Sequence, residues 1–245
     1  MITTAKLGKQ FGEHWALRDL DFTVDQGECL CLLGRNGAGK TTLIRMLTCQ
    51  LSPTVGKAQV CGFDVKDRSI ELRKRIGVMP ESTALLDGLT GENYLHFVGR
   101  IHGLSEAAIS SRVVELSKLF DMELSSPKHI SQYSFGMKKK LSLGAAILHS
   151  PQVLFLDEPF EGLDPVSSAA IHDLLKYLHN SGITILMTSH VLNTAERLCT
   201  RFIIIHQGAI ISDQGAAAFG GQSETLENHF LGMVGRHEFG ALSWI

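Results

Sequence analysis

Net charge is nearly absent from this chain: 23 Lys and Arg stand against 25 Asp and Glu in 245 residues, leaving −2. Binding to a nucleic-acid backbone runs on a positive surface, so no nucleic-acid partner is expected. Long apolar runs are also missing. No stretch reaches the roughly 18 residues that a spanning helix needs, and the first residues, Met1-Ile2-Thr3-Thr4-Ala5-Lys6, hold no signal-peptide core. The chain is therefore expected to stay where it is made. The five cysteines (29, 31, 49, 61 and 199) are odd in number and show no CxxC spacing. That pattern reads as reduced core thiols in a cytosolic protein rather than a metal site. Apolar residues are not scarce. At 44% of the chain, with 20% charged, they exclude disorder and suit one large domain or a domain with an inserted subdomain.

Apolar runs and turn residues divide the chain. Cys29-Leu30-Cys31-Leu32-Leu33, closed by Gly34, reads as a buried strand with Cys29 and Cys31 on one face. Thr42 to Leu47 reads as a helix stopped by Pro53, Val60 to Val65 as a strand, and Ile76 to Met79 as another ending at Pro80. Strand signals then vanish from Thr90 to Ser150. Ser105 predicts the cap of a helix with apolar residues at Ile109, Val113, Leu116 and Phe120, and Met137, Leu141, Ala145 and Leu148 repeat the helical spacing. Strands return at Val153–Leu156, Ile183–Met187 and Phe202–Ile205, with a helix opened by Asp164-Pro165 between the first two. Leu226, Phe230 and Leu231 suggest one short amphipathic helix near the end. Alternating strands and helices predict an α/β fold with a mostly parallel sheet, interrupted by a helical insertion.

Gly34-Arg35-Asn36-Gly37-Ala38-Gly39-Lys40-Thr41 matches G-x-x-x-x-G-K-[ST] between a predicted strand and a predicted helix. Such a loop wraps a phosphate with backbone N–H groups and sets it on a helix N-terminus. Candidate ligands are Gly34, Asn36, Gly37, Ala38 and Gly39 by their backbone, Lys40 on the β- and γ-phosphates, Thr41 on Mg²⁺, and Thr42 on the α-phosphate. The run Val153–Leu156 empties into Asp157 and Glu158. At a strand's carboxyl end these acids are placed to hold Mg²⁺ (Asp157) and to polarise an attacking water (Glu158). Together the two motifs predict Mg²⁺-dependent phosphoryl transfer to water. Tyr133-Ser134-Phe135-Gly136-Met137 opens a helix crowded by Lys138, Lys139 and Lys140. Cations oppose the macrodipole there. The segment reads equally as an anion site, with Ser134 and Gly136 as donors, or as a plain serine cap on a solvated lysine face.

The whole set resembles the ATP-binding cassette (ABC) ATPase family, over about Leu7 to Gly215. It rests on Gly34–Thr42 for Walker A, Ser134–Met137 for the signature, Leu154–Glu158 for Walker B, Gly162-Leu163-Asp164 for the D-loop and Ser189-His190 for the switch histidine. The resemblance implies a P-loop NTPase core (1–81 and 151–215) with an N-terminal antiparallel β element, an inserted helical lid (82–150) and a tail (216–245). It implies an ATP-binding, ATP-hydrolysing subunit with Phe11 stacked on adenine, against the alternative of an ordinary core phenylalanine. His190 is implied to contact the γ-phosphate and to hold the water near Glu158. Asp164 is implied to bridge two protomers, and it also reads as an N-cap.

Two positions depart from the family pattern. Glu81 stands where a glutamine usually helps to hold Mg²⁺; a carboxylate also binds the metal but adds charge. Phe135 replaces a signature glycine, and a phenylalanine does not take positive φ without strain. Pro80-Glu81 and the Tyr-Ser-x-Gly-Met run resemble an exporter subgroup. By that resemblance, two such chains, identical or not, close around ATP, the signature of one over the γ-phosphate held by the other. Separate membrane permease subunits then carry the substrate, docked near Glu81 and Tyr94, with this chain peripheral on the inner face of the cell membrane. The alternatives are a nucleotide-gated regulatory module with weak hydrolysis, a soluble ABC ATPase not tied to transport, and a small-molecule P-loop kinase, which has no use for the signature or His190.

Overall fold

The computed structural model describes residues 1–67, 70–82, 85–219 and 225–235. The chain opens with strands β1 (Ile2–Phe11), β2 (His14–Leu20) and β3 (Thr23–Val24), followed by β4 (Cys29–Leu33) and helix α1 (Lys40–Leu47). Strands β5 (Val55–Val60) and β6 (Phe63–Asp64), the short helix α2 (Ile70–Arg73) and strand β7 (Ile76–Met79) come next. Helices α3 (Gly91–Ile101), α4 (Glu106–Phe120) and α5 (Phe135–Ile147) precede β8 (Val153–Leu156) and α6 (Pro165–Asn180). The chain continues through β9 (Thr184–Ser189), α7 (Leu192–Leu198), β10 (Arg201–His206), β11 (Ala209–Gly215) and α8 (Leu226–Val234).

Six strands form the central sheet in the order β11-β10-β4-β9-β8-β7. All neighbours are parallel except β11, which runs antiparallel to β10. The continuous apolar character of its strands follows from cover on both faces. Every residue of β4 is buried: Cys29, Cys31 and Leu33 enter one apolar cluster, Leu30 and Leu32 the other. A second, antiparallel sheet in the order β2-β1-β5-β6, with β3 beside β1, covers the N-terminal side. Helices α3 and α4, and α3 and α5, pack on each other, and α5 packs on β7. Ser105 caps α4 by accepting from the Ala108 N–H, and Ile109, Val113, Leu116 and Phe120 are its buried stripe, as the spacing predicts.

Two local expectations fail. The stretch Val60–Val65 is not one strand. Cys61 (φ 52°) and Gly62 (φ 80°) form a two-residue turn that pairs Val60 with Phe63, because consecutive positive φ values match the twist of a tight hairpin. Helix α1 ends at Leu47 as expected, but its stop is at Thr48 and not at Pro53. Cys49 turns left-handed there (φ 59°), and the last carbonyls bond to Thr48, Cys49 and Gln50.

Candidate active site

The loop between β4 and α1 is held at the centre of the molecule by close approach. Gly39 has φ 108°, and a Cβ there would lie 2.5 Å from Leu17 Cδ2 and 2.7 Å from the Ala16 carbonyl oxygen. Only glycine fits. Gly39 also caps α1 with no side-chain bond, so the first-turn N–H groups and the positive end of the helix are left for a ligand. Buried Lys40 folds back along the loop, its Nζ donating to the Gly34 carbonyl at 2.8 Å.

The facing wall is acidic. Asp157 and Glu158 follow the last residue of β8 and are 2% and 7% exposed, so each must find partners inside the protein. Thr188 on β9 serves both. Its hydroxyl donates to Asp157 Oδ1 at 2.7 Å and accepts from the Glu158 N–H at 2.9 Å. Glu158 Oε2 accepts from the His190 N–H at 3.2 Å and lies 2.8 Å from His190 Nδ1. Glu158 Oε1 lies 4.0 Å from Lys40 Nζ. Burial pushes the Glu158 carboxyl above the usual carboxylate range, and the charges of His190 and Lys40 oppose that shift. The backbone of Glu158 is left-handed (φ 50°), an uncommon state for a residue with a side chain and one that gathers at functional sites.

Loop and wall enclose a cavity of about 330 Å³, at the carboxyl ends of β4, β8 and β9. Of the residues singled out in the sequence, Asn36, Gly37, Ala38, Gly39, Lys40, Thr41, Thr42, Glu81, Asp157, Glu158 and His190 line it. Gly34 lies at the root of the loop under Lys40. Phe11 is not part of the lining. It is 50% exposed at the end of β1, paired with His14 across the hairpin, so it is no core residue either. Ala16 and Glu161 complete the wall. The sequence signals neither: Ala16 is a small residue in a strand, and Glu161 is one more acid beyond a pair.

Ser134 and Gly136 do not reach this cavity. Ser134 caps α5, its hydroxyl accepting from the Met137 N–H at 3.2 Å. The serine-cap reading therefore holds for Ser134, but the lysine face behind it is not a solvated one, since each lysine has a partner within the chain. Lys138 pairs with Asp87 at 2.9 Å, Lys139 donates to the Glu158 carbonyl at 2.7 Å, and Lys140 donates to the Phe120 carbonyl at 3.1 Å. The objection to Phe135 also falls. Phe135 is the first residue of α5 and does not have positive φ. Its ring rests on Gly162, where a Cβ would lie 2.6 Å from it. Asp164 caps α6 by accepting from the N–H groups of Val166 and Ser167, and the Ser167 hydroxyl, followed by these N–H groups, holds its carboxyl below the usual range. The five cysteines are free thiols, and no cluster of three or more metal-ligating side chains is found among the described residues.

A family model described as "ABC transporter" matches residues 17–161. The chain is 36% identical over 216 residues to the ABC transporter ATP-binding protein NatA of Bacillus subtilis (strain 168), covering 86% of this chain and 88% of NatA. It is 38% identical over 212 residues to the daunorubicin resistance ATP-binding protein DrrA3 of Streptomyces coeruleorubidus, covering 86% and 67%. Among solved structures, one described as the ATP binding subunit of an ABC transporter superposes with a TM-score of 0.88 at 30% identity, over 95% of this chain and 99% of that one.

Proposed function

The chain belongs to the ABC transporter family, and on that premise we propose that it binds and hydrolyses Mg²⁺-ATP as the ATP-binding subunit of a membrane transporter. One observation carries this reading. Lys40, Asp157, Glu158 and His190, from three places in the sequence, converge on a single cavity beneath the open end of α1. A triphosphate fits the donors present, which are a buried ammonium and the free N–H groups of a helix start. Mg²⁺ fits the hard oxygen set of Thr41, Asp157 and Glu81. The metal would neutralise charge between phosphate oxygens.

The protein's own groups divide the remaining work. Lys40 sets a positive charge at the loop, where the terminal phosphates would rest. An ionised Oε2 only accepts, so the proton on His190 lies on Nδ1, and Nε2 is the ring atom left for the substrate. With Oε2 engaged twice by His190, Oε1 of Glu158 is the atom free to take a proton from an attacking water. A carboxyl whose affinity for protons is raised by burial is the better base for that step.

The domain reading that goes with this function takes 1–81 and 151–215 as the nucleotide-binding core, 82–150 as a helical lid and 216–245 as a tail. Residues 68–69, 83–84, 220–224 and 236–245 lie outside the described part of the chain. Because Ser134 and Gly136 stand away from the cavity, the site is completed by the signature of a second protomer. Among the described residues no helix is long and apolar enough to cross a membrane, so separate permease subunits provide the path. The chain then works on the cytoplasmic face of the membrane. Relatives named for daunorubicin resistance and Nod factor export support outward transport.

The test is steady-state hydrolysis with and without Mg²⁺. Glu158→Gln should bind ATP and lose about 10²–10⁴ of the rate, the usual worth of a positioned base. Normal turnover in that variant would remove Glu158 from the chemistry.

A further inference from the structure

Lys139 has no solvent exposure at all, although it stands in a run of three lysines near the start of α5. Burying an ammonium is unfavourable unless it is paired, so this position is not filler. Its Nζ donates to the backbone carbonyl of Glu158 at 2.7 Å and lies 5.6 Å from the centre of the Phe135 ring. Burial pulls its pKa below the usual lysine range, and the charges of Glu161, Glu158, Glu81 and Asp157 oppose that shift. Lys139 thus meets Glu158 at its main chain, whereas Lys40 faces its carboxylate.

Its partner is the residue with unusual backbone geometry. Glu158 leaves β8 in the left-handed region, and its main chain is fixed from two directions. The N–H donates to Thr188, and the carbonyl accepts from Lys139 and, at 3.3 Å, from the Glu161 N–H. An apolar side chain of similar length would fill the same space. It would leave the carbonyl with only the longer bond and the acidic wall without its buried cation. Main-chain placement of Glu158 sets where Oε1 points.

Resting on the reading of Glu158 as the base, we propose that Lys139 is a positioning residue for hydrolysis. It ties α5 to the Glu158 carbonyl and holds the carboxylate in its working orientation. The contact also links the Ser134–Gly136 segment to the base of the same chain.

The test is a double-mutant cycle in the full chain, with K139M, E158Q and the combination. The affinity of a fluorescent ATP analogue and the thermal midpoint without nucleotide report whether each variant is folded. K139M should keep the analogue's affinity within about threefold and lower kcat by roughly 10–100-fold, the scale of a misplaced reacting group. In the E158Q background the same change should alter the residual rate by less than about twofold, because Lys139 acts only through that carboxylate. A K139M enzyme with normal kcat overturns the proposal, and so does an equal loss in both backgrounds, which marks a merely structural lysine. If K139M does not bind the analogue, K139Q, which keeps a donor without the charge, runs the same cycle under the same criteria. Normal hydrolysis by E158Q alone would instead reject the base assignment, whatever K139M does.

Discussion

Replacing Thr188 with valine keeps the shape of the side chain and removes one oxygen, and that oxygen serves both acids of the site. Thr188 is fully buried on β9 and bonds to Asp157 Oδ1 at 2.7 Å and to the Glu158 N–H at 2.9 Å. The first is a bond to a charged group, worth about 1.5–3 kcal/mol, and the second leaves a buried donor unpaired, at about 1–3 kcal/mol. No cavity is created, so these losses account for the effect, and Thr188→Val should destabilise the fold by about 3–5 kcal/mol. For a chain of this size each kcal/mol moves the melting midpoint by about 2–4 °C, which gives a drop of about 6–20 °C. Thr188→Ser keeps the oxygen and serves as the control. Calorimetry or circular dichroism on nucleotide-free protein reads the midpoint, and ATP hydrolysis should fall in the valine variant alone. If the valine and serine variants melt within about 2 °C of each other, the bridge does not carry the load assigned to it.

Lys40→Ala should raise the dissociation constant for ATP by about 10–100-fold, the equivalent of one charge-assisted bond; unchanged affinity in equilibrium dialysis would remove Lys40 from the phosphate cradle. Acid should destabilise the fold through His149, whose burial, with the charge of the neighbouring His102 (ring centres 3.7 Å apart), pushes its pKa down from 6.5 to about 4. The unfolded chain takes up that proton first, so unfolding free energy should fall as pH drops from about 6.5 to about 4. His149→Phe should flatten that dependence in urea titrations, and an identical slope in both proteins would contradict it.

The parts legible in the sequence are those where chemistry forces a residue type at a fixed spacing. Gly39 has to be glycine because Ala16 and Leu17 crowd it, and Lys40 and the two acids after β8 carry charges that the phosphate and metal chemistry calls for. The parts that stayed hidden depend on what folds over them. Three lysines at a helix start look like a solvated face. Lys139 is buried because the loop after β8 comes to lie against α5, an arrangement set by residues 19 positions away. In sequence Thr188 is only a polar residue after the apolar run Ile183–Met187, and its bridging role appears only when β8 and β9 are neighbours. Phe135 was judged against a glycine of the family pattern, whereas here it opens a helix, where any side chain has room in φ. An aromatic ring such as Phe11 carries no mark in sequence of whether it stacks, packs or stands in solvent.

The central claim is that ATP, held by the Lys40 loop of one chain, is capped by the Ser134 segment of a second. Sedimentation of Glu158→Gln with Mg²⁺-ATP, followed by a structure of the species obtained, tests it most directly. The account predicts a nucleotide-dependent dimer with ATP between Lys40 of one protomer and Ser134 of the other. A chain that binds ATP yet stays a monomer, or a dimer with the nucleotide away from Ser134, would contradict it.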